Sequence, residues 1–348
     1  MKRWQFWVGL IISAACLYFF LIRQQNWAVL WNSLLGANYW WLIPAILIYF
    51  VGVWVRAWRL HYLMRPIKPV AVQTLFPIIC IAYMGNNIFP WRAGELLIRP
   101  YLIRKKEGVP FSASFAIVFI ERTFDAVVMM LFIFVNLPEL ARLAGGGSSV
   151  AGTITQLAIY GTILFFGALV VFILAAMFPA VTARAVSWTV GHVVPVRFRP
   201  QVEGVSARLL DGLSCLRSPR DAVMVLFTSI LIWLFETGKY WFLMHAFTFT
   251  VSFFALMLMN GIANLITIIP AAPGYIGTFE AAGIAVLEAY GVDQAIATSY
   301  TFILHAALWL PITVLGGIFW LREGLSMSKV RAETQTADGA PPKPSPNP

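Results

Sequence analysis

Apolar positions along this chain gather into runs of roughly twenty residues, the length a helix needs to cross the hydrocarbon of a bilayer. The first, WQFWVGLIISAACLYFFLI at 4–22, follows Lys2 and Arg3. The RQQNW after it offers no small-residue cleavage site, so the run predicts a retained anchor and not a signal peptide. Further runs lie at 40–58, 113–135, 154–178, 223–246, 252–269 and 296–321, with a shorter one at 73–89. Over 348 residues 60% are apolar and 11% charged, too little polar surface for a soluble protein. The pattern predicts an all-α polytopic membrane protein.

Basic residues orient the runs, because short cytoplasmic connections are enriched in Lys and Arg. The stretch 56–68 holds Arg56, Arg59, Arg65 and Lys68; 92–106 holds Arg92, Arg99, Arg104, Lys105 and Lys106; 184–220 holds six arginines; the end of the chain holds Arg322, Lys329 and Arg331. These face the cytoplasm. NLPELARLAGGGSSVAGT, with one Arg against one Glu, and HAFTFTVS, with neither Lys nor Arg, face outward. Both termini are then cytoplasmic in a multi-pass protein of the cell (inner) membrane. If 40–58 ends inside and 113–135 starts inside, the run at 73–89 and the segment after it must form a hairpin that enters and leaves on the cytoplasmic side. Residues 252–289 become a second hairpin, entering from the other face. Pro90 and Gly94 punctuate the first, and Pro273, Gly274 and Gly277 of PAAPGYIG the second, as breaks between half-helices require. The expected fold is about six full spans plus two re-entrant broken-helix hairpins, over a transmembrane domain of residues 1–323. Residues 324–348, closing in APPKPSPNP, are expected to be a disordered cytoplasmic tail.

The hairpins resemble each other. FPWRAGE is followed by GVPFSASFAIVFIER and APGYIGTFE by GVDQAIATSYTFILH, and Arg122 and His305 both fall fourteen residues beyond the glycine, Gly108 or Gly291, that opens the second string. With opposite orientations, this predicts an inverted repeat, which lets one site face the two sides alternately.

Charges fall at or beside membrane depth: Glu95, Glu121, Arg122, Asp125, Glu236, Lys239 and Glu280. At about 2.5–3.5 kcal/mol for each lipid-centred charge, these groups unpaired would cost roughly 17–25 kcal/mol, more than a marginal fold carries, so they must be paired or wet. Helical spacing offers Glu95 with Arg99, Arg122 with Asp125, Glu121 with Asp125, and Glu236 with Lys239. The last reads as an internal structural pair. Glu280 has no basic residue within four positions. In the hairpins, free backbone groups and charge coincide at one depth, as a binding site needs.

NNIFPWRAGELLIRP, ERTFD and PAAPGYIGTFE, in that order, resemble the membrane domain of the lysylphosphatidylglycerol synthase and flippase family, over residues 5–323. The resemblance implies a flippase-like domain handling an amphiphilic lipid. It maps onto Asn87, Pro90, Arg92, Gly94, Glu95, Arg99, Glu121, Arg122, Asp125, Pro273, Gly274, Gly277 and Glu280. It departs at His305, where similar proteins often carry Arg. Aminoacyl transfer in that family resembles the work of a separate soluble domain, and the residues after WLREG are too few for one, so synthesis of lysyl lipids by this chain is not expected.

The expected lipid-binding or translocation residues are therefore Asn87, Arg92, Glu95, Arg99, Glu121, Arg122, Asp125, Glu280 and His305, and the expected partner is a membrane lipid, anionic because Arg offers paired donors to phosphate. Two other classes stay open: an enzyme transferring or hydrolysing a lipid head group, with Glu95 or Glu280 as general base, and a non-catalytic partner of a lipid synthase. A polyprenyl-linked glycosyltransferase would need clustered acids in outward loops, which hold only Glu139; P-loop, nucleophile-elbow and zinc motifs are missing from the sequence. Cys16, Cys80 and Cys215 and the four histidines have no ligand spacing, so neither a metal nor another cofactor is expected, and nor is a nucleic-acid partner. The segment 202–220 repeats apolar residues beside arginines and reads as an interfacial helix on anionic lipid or a partner-binding helix.

Overall fold

A computed structural model describes residues 26–89, 92–136, 178–193, 218–266 and 272–325, with isolated positions within 10–18, within 160–174 and at 199. Pro90, most of the predicted spans 4–22 and 154–178, the outward connection after residue 136, the amphipathic segment up to residue 217 and the tail from 326 lie outside the described residues.

The described chain is helical, without strand: α1 (Trp27–Gly36), a 3-10 turn (Tyr39–Trp41), α2 (Leu42–Met64), α3 (Val72–Ile88), a π-helical stretch (Gly94–Ile98), α4 (Arg99–Glu107), α5 (Phe111–Val135), α6 (Pro179–Val193), α7 (Pro219–Met244), α8 (Phe253–Ile266), a 3-10 turn (Pro273–Tyr275), α9 (Thr278–Ala289) and α10 (Gln294–Arg322). Tyr39–Met64, Arg220–Met244 and Gln294–Arg322 are long and apolar enough to cross a membrane, and Val72–Ile88 and Phe253–Asn264 are shorter apolar helices. α5 has the length, at 25 residues, but carries Glu121, Arg122 and Asp125 in its middle. α3, at 17 residues, spans about 25 Å, short of a hydrocarbon core of roughly 30 Å.

Burial on one face and exposure on the other set the packing. On α2, Ile43, Leu47, Val51 and Trp54 form an exposed apolar stripe at helical spacing, while Val53, Ala57 and Leu60 are buried. In water such a stripe would be an aggregation hazard; lipid covers it. The inner face of α2 lies along α7, α3 along α10, and α8 along α9. One core gathers Val53, Leu60, Leu75, Ile78, Ile103 and Ile117 around α2, α3, α4 and α5. A second gathers Leu243, Leu256, Met259, Ile284 and Tyr300 around α7 to α10.

The chain reverses after α3 by crossing its own helix. A Cβ on Gly94 would sit 1.7 Å from the Ala82 carbonyl oxygen, and one on Gly85 would sit 2.8 Å from the Gly94 Cα, so two glycines let the return arm lie against α3. The return begins as a π turn, and Pro100 follows it, lacking the N–H that an α-helix would give to the Leu96 carbonyl.

Candidate functional site

At the first break Arg92 takes φ +51°, a left-handed conformation that a non-glycine residue rarely holds. Its Nε lies 3.5 Å from Glu95 Oε2. Arg122, reaching in from α5, donates from Nη2 to Glu95 Oε1 at 3.2 Å and lies 3.4 Å from Asp125 Oδ2. The expected pairing of Glu95 with Arg99 is replaced: Arg99 donates to Glu121 Oε2 at 2.7 Å. The π turn accounts for the change, because with i→i+5 bonding residues four apart no longer stack on one face. The Glu95 N–H is bonded to Asn86 Oδ1 at 3.1 Å. Asn87 ties the same arm to α10, donating to the Trp309 carbonyl at 3.3 Å and to Thr313 Oγ1 at 2.8 Å.

The second break has a matching construction. Tyr275 takes φ +61° and, like Arg92, stands two residues after a proline and two before a glycine. Gly274, at φ +70°, approaches the Trp309 indole so closely that a Cβ would meet Nε1 at 2.7 Å. Glu280 caps the start of α9, accepting from the Gly277 N–H at 2.7 Å through Oε2, and its Oε1 lies 2.5 Å from His305 Nδ1. His305 Nε2 donates to the Gly274 carbonyl at 2.8 Å. With Nε2 carrying a hydrogen, a proton must also lie on the line between Nδ1 and Oε1, since two lone pairs would repel at that separation. Glu280 thus finds its partner 25 residues away, as Glu95 finds Arg122 27 residues away. The preceding helices in each case end at a left-handed glycine, Gly108 at φ +70° and Gly291 at φ +79°.

The two breaks face one cavity of about 150 Å³. From the sequence-predicted set it is lined by Asn87, Arg92, Arg122, Gly274 and His305. Glu95, Arg99 and Glu121 line a smaller void behind it. Asp125 and Glu280 line neither and act through the cations they hold. The side chains of Arg92 and Arg122 are each 31% accessible against 4% for Glu95, so the guanidiniums and not the carboxylate open onto the space. Arg92 Nε, which has only the ion-pair contact with Glu95, Arg122 Nε and Trp309 Nε1 are buried donors that make no hydrogen bond in the protein, as are Arg59 Nε and Arg99 Nε and Nη2 behind the cavity. Three such N–H groups on cavity-lining residues suit an anion better than a cation. Among the described residues no three His, Cys, Asp or Glu side chains come together as a metal site.

Several lining residues were not singled out as binding residues from the sequence. Arg56 and Arg59, assigned above to a cytoplasmic connection, are buried in α2, which continues to Met64. Arg56 donates to Glu236 at 2.8 Å, and Arg59 donates to Asp125 Oδ1 at 2.5 Å and Ser229 at 2.9 Å. Carboxylates from α5 and α7 make that burial affordable. The flanks Val55, Ala57, Leu60 and Leu63, continuing the apolar pattern past residue 58, were the available signal. Glu236 and Lys239 do pair, and both also line the cavity, where the Lys239 ammonium lies 4.4 Å from the Tyr49 ring.

The family described as "Lysylphosphatidylglycerol synthase TM region" matches residues 6–316. Similar proteins include one from Haloferax volcanii named glycosyltransferase AglD, 27% identical over 267 residues that make up 69% of this chain and 42% of that protein. The chain therefore spans less than half of that relative. Two UPF0104 membrane proteins of Methanothermobacter thermautotrophicus are 23% and 22% identical, over 79% and 80% of this chain and 81% and 83% of theirs.

Proposed function

The chain belongs to the lysylphosphatidylglycerol synthase TM-region family, and from that premise we propose that it is a flippase-like protein of the inner membrane that binds an anionic lipid by its phosphate and passes it between leaflets. One observation carries the reading: the cavity between the two breaks, where Arg92, Arg122 and Trp309 present donors that make no hydrogen bond in the protein. Such donors are matched by phosphate oxygens, and the acyl chains of the same lipid would stay in the bilayer.

In this reading the two breaks belong to re-entrant hairpins entering from opposite faces, with about six full spans around them and both termini in the cytoplasm. The repeated features support it: a left-handed residue between Pro and Gly, a glutamate three or five residues on, a partner for that glutamate from the following long helix, and a left-handed glycine between. An inverted repeat built this way gives alternating access by rocking one half against the other around a fixed site. Residues 1–323 would form the transporting domain and 324–348 a tail.

A head-group enzyme is less well supported. Glu95 is held by two guanidiniums and Glu280 by a backbone N–H and an imidazole, and neither lines the cavity, where a general base would have to meet a head group. Reconstitution of the purified chain in vesicles with labelled phosphatidic acid and, separately, labelled phosphatidylglycerol, scoring leaflet exchange against chemical change, separates these. Exchange of at least one of the two with its head group intact is expected; conversion of the head group, or exchange of both no faster than in protein-free vesicles, would overturn the reading.

A further inference from the structure

The ion-pair network around the cavity does not balance. The described residues bring to it six cations, Arg56, Arg59, Arg92, Arg99, Arg122 and Lys239, against four carboxylates, Glu95, Glu121, Asp125 and Glu236. The excess is two positive charges. Glu280 and His305 do not change it, because a single proton on the Oε1–Nδ1 line leaves that pair neutral whichever atom holds it. Nor is the excess spread evenly. Arg59 and Arg99, buried behind the cavity, are offset in charge by Glu121 and Asp125, whereas Arg56, Arg92, Arg122 and Lys239 line it with Glu236 as the one carboxylate on the wall among the described residues. An uncompensated charge inside a bilayer is costly, so a ligand that supplies the missing negative charge binds best when it supplies all of it.

We infer that the site is matched to a phosphate group carrying two negative charges, a phosphomonoester or a diphosphate esterified at both ends, and discriminates against the singly charged phosphodiester of an ordinary phospholipid. This rests on the phosphate-binding reading above and narrows its substrate class. A phosphomonoester loses its second proton with a pKa of about 6 and so approaches a dianion at neutral pH, while a diester keeps a single charge. The two cationic poles of the cavity, Arg92 with Arg122 on the side of the first break and Arg56 with Lys239 on α2 and α7, supply separate partners for oxygens of such a group. The aromatic wall of Tyr49, Tyr83, Trp233 and Trp309 keeps the dielectric low and the charge match strong.

The test is a competition in mixed micelles of phosphatidylcholine containing equal amounts of phosphatidic acid and phosphatidylglycerol, at pH 8, about two units above that second pKa. Lipid bound to the purified chain is counted by native mass spectrometry. Phosphatidic acid is expected to be held about tenfold or more over phosphatidylglycerol. Lys239→Gln, which leaves Glu236 its bond from Arg56 and lowers the excess to one charge, should bring the preference close to parity, and Lys239→Arg should retain it. Equal retention of the two lipids by the unaltered chain overturns the inference, as does a preference unchanged in a folded Lys239→Gln protein. Leaflet exchange scored in parallel separates this from the transport reading. Exchange of phosphatidylglycerol without any preference for phosphatidic acid leaves transport standing and removes the charge match. Preference without exchange does the reverse. Displacement of phosphatidic acid by millimolar inorganic phosphate supports the dianion class but assigns the site to free phosphate and not to a lipid.

Discussion

Asp125 and Arg92 are charges in one network with opposite duties. Asp125 is enclosed, accepting from Arg59 at 2.5 Å and from the Trp233 indole at 3.1 Å. Asp125→Asn would leave Arg59 buried without its main counter-charge, a change that typically costs about 3–5 kcal/mol. It should lower the thermal unfolding midpoint of the detergent-solubilised protein sharply, and an unchanged midpoint would contradict the enclosed role. Arg92 is partly open to the cavity, so Arg92→Lys keeps the charge, loses the planar fork, and should slow lipid exchange about tenfold or more with little change in folded yield; Arg122→Lys should behave likewise. Full exchange by Arg92→Lys would exclude recognition through that fork. Much of this was legible: a charged residue next to Pro and Gly inside an apolar stretch is conspicuous, and Arg122 with Asp125 and Glu236 with Lys239 follow from helical spacing. What spacing could not supply was pairing between helices, which is why Arg56, Arg59 and the His305 partner of Glu280 emerge only from the fold.

At the scale of elements, the two breaks matter more than the long helices. Gly94 stands where the return arm crosses α3, and Gly94→Ala would drive a Cβ into the Ala82 carbonyl, which belongs to backbone and cannot swing away. Overpacking of this kind costs about 1–3 kcal/mol or more, so a clear loss of folded yield and of unfolding temperature is expected. Gly108→Ala is the contrast: nothing lies within 4 Å of its Cβ position, and only the φ of +70° resists, at about 1 kcal/mol. Equal tolerance of the two substitutions would mean that the crossing is looser than drawn. The existence of both breaks followed from Pro and Gly clusters beside short apolar runs. The π turn did not, because nothing in GELLI distinguishes a wider turn from an α-helix, and the expected Glu95–Arg99 pair failed for that reason.

For the whole molecule, the proposed topology makes opposite faces testable. A cysteine placed in 141–149 should react with an impermeant thiol reagent from outside, and one placed in 103–107 only from inside; reaction of both from one side would remove the inverted arrangement. The central claim, however, is that the two halves share one phosphate site, and a density map of the protein in nanodiscs containing phosphatidic acid tests it most directly. The map should show a lipid phosphate between the breaks, within about 3 Å of the Arg92 and Arg122 guanidinium nitrogens. Lipid phosphates confined to the outer surface of the helices, with the cavity between Arg92, Arg122 and Trp309 holding water alone, would contradict it.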